Sequence, residues 1–197
     1  MPDSTIDDSF ASRWRAQVLA VRPAILPARH YVYPREAEEV ERGALEVLIH
    51  PNPQPSQART QPFLATCALG FRDPAVPTGL WSTPTPEEIC AVSGGYAYII
   101  DTTAPERFTM IPFRPVLQIL PVPPREAIAA GLLLFVGHHG ILAWGAQGEA
   151  WRSEKLSDEG VAITSIEGNI LHGRGWRMLS DRETAFALDL RTGLELA

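Results

Sequence analysis

The chain has 197 residues, 45% hydrophobic and 20% charged, a balance that excludes global disorder and leaves room for one large domain or two small ones. A net charge of −6 and a pI near 5.4 supply no basic footprint for nucleic acid, and no apolar run reaches the length needed to cross a membrane. With 18 prolines and 15 glycines, many turns and few long helices are expected.

The first eight residues are acidic and polar and lack a secretory pattern, so a cytoplasmic location is expected. Lys155 is the one lysine among 17 basic residues, a bias that fits a GC-rich bacterial genome. Cys67 and Cys90 lack metal-ligand spacing and are expected as reduced, buried thiols.

From the N-terminus, Ser9 is a candidate cap, and Phe10, Trp14 and Val18 recur every fourth position, which predicts a helix over residues 9–21 that ends before Pro23. A short extended piece over 31–33 and a second, two-turn helix over 34–42 follow. Residues 1–43 therefore read as a helical extension and 44–197 as a single β domain. Strands are predicted over 44–50 and 63–71, separated by a proline-rich loop. A second proline-rich loop, 73–86, carries Trp81, read either as a surface anchor or as a side chain tucked beneath the loop.

From Ile89 onward the chain repeats one design. Hairpins are predicted around Ser93-Gly94-Gly95, around Gly137-His138-His139-Gly140 and around residues 180–183, with further strands near 107–111, 115–120, 149–153, 161–166 and 194–196. Pro121, Pro123 and Pro124 read as a stiff linker. The equivalent positions Asp101, Trp144 and Asp189 lie 43 and 45 residues apart, a period that signals a reused supersecondary unit. The expected fold is mainly β: antiparallel blade-like sheets, an incomplete propeller or a sandwich, built from about three hairpin-based units with one or two N-terminal helices.

Residues 185–193, with Asp189 and the Thr192-Gly193 pair, resemble the strand-and-turn segment of quinoprotein-type β-propeller repeats, and 143–151 and 98–105 are similar. The resemblance spans residues 89–196 and implies a β-sheet scaffold. Cofactor binding belongs to the complete dehydrogenases of that group and is not carried over, so no cofactor is expected. Asp101 and Asp189 read as turn residues.

No catalytic constellation stands out. The five histidines lack metal-ligand spacing, Ser93 lacks a nucleophile elbow, and the glycines of 168–175 lie between strands rather than before a helix. The expected function is a non-catalytic, cytoplasmic interaction module, inhibitor- or immunity-like in one version, that binds a protein partner or a second copy of itself through loops and exposed aromatics. The candidate binding residues are Trp81, His138, His139, Trp151, His172 and Arg174. Trp151 shares strand parity with Glu149 and is expected to be partly exposed, whereas Trp144 is expected inside. The alternative is a small-molecule-binding or hydrolytic protein whose histidines converge where the 137–140 and 171–175 turns meet.

Overall fold

The computed structural model describes residues 5–35, 42–52 and 61–196. The described residues form 16 strands and no helix. The chain divides into two compact units, residues 1–115 and 116–197.

In the first unit, β1 (Thr5–Asp7), β6 (Gly79–Ser82), β7 (Glu88–Ser93), β8 (Tyr96–Asp101) and β9 (Phe108–Met110) form one sheet in the order β1-β6-β7-β8-β9, with β1 parallel to β6. A second sheet has the order β2-β4-β5-β3, made of β2 (Trp14–Leu19), β4 (Ala44–Pro51), β5 (Phe63–Ala68) and β3 (His30–Tyr33). Alternate residues of the two sheets meet in one core: Val47, Ile49, Phe63 and Tyr33 from one side, and Leu80, Ile89, Tyr98 and Ile100 from the other.

The helix expected over 9–21 is not formed; strand β2 occupies its middle. A spacing of four is even as well as near-helical, so Trp14, Ala16 and Val18 share one face of a strand, and that face packs on the core. The second expected helix falls mainly on residues 36–41, outside the described residues. Because β1, β2 and β3 are woven into both sheets, the described part of 1–43 is no appendage to them. The loop predicted over 73–86 contributes β6, whose Leu80 and Trp81 are buried.

The repeated hairpins form. Gly94 and Gly95 take φ values of 55° and 76°, the left-handed turn that a two-residue hairpin requires. At strand ends, Asp101 Oδ1 accepts from the Thr103 N–H at 2.8 Å and the Ala104 N–H at 3.1 Å, and Asp189 Oδ1 accepts from the Arg191 N–H at 2.8 Å. Both carboxylates are turn residues, as expected.

The second unit pairs β10 (Gln118–Val122), β11 (Leu132–Val136), β12 (Ile141–Gly145) and β13 (Gly148–Arg152) in chain order, all antiparallel. Pro121, expected in a linker, lies inside β10. β11 is buried on both faces, which accounts for its unbroken apolar run. A three-stranded sheet follows: β14 (Val161–Glu167), β15 (Ile170–Arg177) and β16 (Arg182–Asp189). The two sheets share a core of Leu134, Val136, Trp151, Leu171, Phe186 and Leu188 with their neighbours. In place of the strand expected over 194–196, an isolated bridge joins Leu188 to Glu195.

Candidate functional site

The sequence candidates divide by burial. Trp81 is buried in β6. Trp151 is buried as well, contrary to expectation, and its indole N–H donates to the Leu190 carbonyl at 2.7 Å. The cause is a bulge: Trp151 pairs with Ala143 and Glu149 with Trp144, leaving Ala150 as the extra residue. Trp151 and Glu149 therefore lie on opposite faces despite their even spacing. Neither tryptophan is available at the surface, and Trp144 is inside as expected.

His138 and His139 occupy the exposed β11–β12 turn, with His139 Nδ1 3.1 Å from the Ser157 carbonyl. His172 and Arg174 lie within β15, not on a turn. Among the described residues no hydrogen bond or ion pair joins the two histidine-bearing segments, and no cluster of three possible metal ligands occurs.

His172 and Arg174 are nevertheless brought together with Trp176. The even positions of β15 face outward, because Leu171, Gly173 and Gly175 face inward and are buried. The inner glycines are required by close approach: a Cβ on Gly173 would lie 2.2 Å from the Phe186 ring, and one on Gly175 2.2 Å from the Leu156 carbonyl oxygen. On the outer face the cross-strand neighbours are small: Ala187 opposite His172, and Ala185 and Ala162 opposite Arg174. His172 and Arg174 therefore stand above a low floor, with Trp176 beside them opposite Glu183.

Arg174 meets Glu183 at 3.8 Å, and both are well exposed, so the pair contributes at most about 1 kcal/mol. The ridge runs into the β15–β16 turn, where Met178 is 67% exposed and Leu179 fully exposed. Asp181 closes that turn at φ 49°, a conformation aspartate tolerates better than most side chains. Composition offered no cue to this tip; two apolar residues just before a predicted turn were the available signal.

A second polar assembly lies on the outer face of the β2-β4-β5-β3 sheet. β2 and β3 occupy opposite edges, so residues 20–29 must traverse the sheet to connect them. They pass over the outer face, where Arg22 Nε donates to Glu46 Oε1 at 2.7 Å. The Thr66 hydroxyl donates to Glu46 Oε2 at 2.6 Å, and its oxygen lies 2.8 Å from His30 Nε2. Since the hydroxyl proton is committed to Glu46, His30 Nε2 must be the donor, which leaves Nδ1 as the acceptor of the neutral ring. Burial foremost, and then the Arg22 charge, holds the His30 pKa below its ordinary value, against an opposing pull from Glu46.

Beside β3 runs a groove of about 300 Å³, walled by the strand itself and by Arg35, Pro105 and Glu106. The Tyr33 hydroxyl donates to the Pro105 carbonyl at 2.6 Å, and burial raises its pKa far above the ordinary phenol value. Cys67 and Cys90 are both fully buried, and burial raises both thiols well above the range in which a thiolate forms, so neither is a nucleophile at neutral pH.

Compared with known proteins, the chain matches no family model, and no curated protein is similar to it in sequence. No helix among the described residues is long and apolar enough to cross a membrane.

Proposed function

We propose that this protein is a non-catalytic, cytoplasmic interaction module of bacterial origin that meets a protein partner, or a second copy of itself, through the β15–β16 hairpin. The observation that carries this reading is the exposed Met178-Leu179 tip, continuous with the His172–Arg174–Trp176 ridge. Large apolar and aromatic groups beside an arginine have the composition that anchors protein interfaces. An inhibitor- or immunity-like role is the version in which the acidic remainder of the surface steers a basic target toward this hairpin. In the accompanying reading of the fold, the successive antiparallel sheets are blade-like units of an incomplete propeller or the layers of a sandwich, and the hairpin is the free end of the last unit.

The test compares the wild type with a Met178→Ser, Leu179→Asp double variant. Light scattering after gel filtration, together with pull-down from native lysate, is expected to give a stoichiometric partner or a dimer with the wild type and neither with the variant. Circular dichroism should show the same melting curve for both, since the replaced side chains support no core. A monomeric wild type without a stoichiometric partner overturns the reading, as does a variant that keeps its partner.

A further inference from the structure

In the first unit, β3 is an edge strand among the described residues, with β5 as its one neighbour there, paired in parallel. The Leu64 N–H donates to the Arg29 carbonyl at 3.0 Å, which fixes the phase of the ladder. Residues 29, 31 and 33 turn their backbone groups toward β5, so those of His30 and Val32 point the other way, into the groove. Among the described residues, no backbone partner meets the His30 or Val32 groups on that side.

The walls of this groove are held in place. Tyr33 is bonded to Pro105 and stacks edge-on against Phe108 at 5.0 Å, Arg35 donates to the Glu106 carbonyl at 3.0 Å, and His30 is fixed through Thr66 to Glu46. Such an edge is a preformed template whose binding cost is low because little has to be ordered. An arginine flanks the strand at each end. Arg29, immediately before the strand, lies over the Tyr31 and Phe63 rings, and Arg35, two residues after it, is exposed. Among the described residues neither guanidinium is ion-paired, while Glu106 is the one carboxylate in the groove's lining.

We infer that the β3 edge accepts an extended acidic segment of another protein, which adds to this sheet as a fifth strand. The segment's backbone exchanges hydrogen bonds with His30 and Val32, and its carboxylates reach Arg29 and Arg35. This surface belongs to the first unit and stands independently of the hairpin contact proposed above.

The probe is a fluorescein-labelled octapeptide alternating aspartate and valine, with a lysine-valine counterpart as control. Fluorescence anisotropy is expected to show binding of the acidic peptide and none of the basic one. Two N-methylated versions, one modified at every aspartate and one at every valine, separate strand addition from simple charge attraction. In a strand only alternate amides face the neighbour, so one version should bind unchanged and the other should weaken by roughly tenfold or more. Amide exchange at His30 and Val32 should slow when the peptide is present. Arg35→Glu, at an exposed position, should weaken binding by about tenfold and flatten its salt dependence. The wild-type peptide series decides the matter if that variant folds poorly. The inference is overturned by absence of binding, by equal affinity of both methylated peptides, or by His30 and Val32 amides already protected in a concentration-dependent way, which would place a second copy at the edge.

Discussion

The outer faces of two sheets, β2-β4-β5-β3 in the first unit and β14-β15-β16 in the second, each carry a histidine, an arginine and a glutamate, and use them in opposite ways. In the first, Arg22, Glu46, Thr66 and His30 form a continuous chain beneath the segment that crosses the sheet, with Glu46 and Thr66 buried. In the second, Arg174 and Glu183 are exposed and joined by one long contact of 3.8 Å, with the half-buried His172 beside Arg174 on the same face. The same chemistry becomes a structural rivet where solvent is excluded and a contact surface where it is not. Local dielectric and the cost of an unsatisfied buried group decide which.

That contrast sets a graded series of outcomes. Thr66→Val keeps the shape but strips Glu46 and His30 of their shared partner, and should cost about 2 kcal/mol in urea denaturation. Arg22→Ala should cost less, about 1 kcal/mol, because the arginine is 42% exposed and water replaces part of its pairing with Glu46. If either variant melts like the wild type, the chain beneath the crossing segment is decorative.

A pH effect of smaller size follows from His30. Its folded pKa lies below the ordinary 6.5, so the unfolded chain binds the proton more readily than the folded one. The His30 contribution is complete above the unfolded value and is lost as pH falls through the depressed folded value. The urea midpoint should therefore drop on going from about pH 7.5 to about pH 5.5, and His30→Gln, which can still donate to Thr66, should flatten that drop. Parallel slopes for the two proteins would remove His30 from the account. Smallest of all, Arg174→Ala should change stability by no more than about 0.5 kcal/mol; a larger loss would mean that the open face is structural after all.

Much of the strand order could be read from the chain because its signals are local. Paired glycines at 94–95, the apolar run of β11 and the strand-ending aspartates each declare themselves within a few residues. The failures came from ambiguity and distance. The spacing of Phe10, Trp14 and Val18 fits a helix and a strand equally well, and only the core contacts of Ala16 break the tie. A single extra residue at Ala150 reverses the parity that placed Trp151 outside, and nothing in the neighbouring sequence announces it. His172 and Arg174 could be grouped because they lie two apart in one strand. His30 could not be grouped with Glu46 and Thr66, which are 16 and 36 positions away on strands whose neighbours are set by topology.

The bare inner side of β15 has a consequence for how this chain can change over time. With Phe186 and the backbone near Leu156 seated directly on Gly173 and Gly175, those two positions admit no substitute. Of the three positions that alternate with them, His172 and Arg174 face only small residues across the sheet, and Trp176 faces the exposed Glu183. One strand thus joins an immutable underside to a freely editable top, so that new binding preferences can be written there without disturbing how the protein folds.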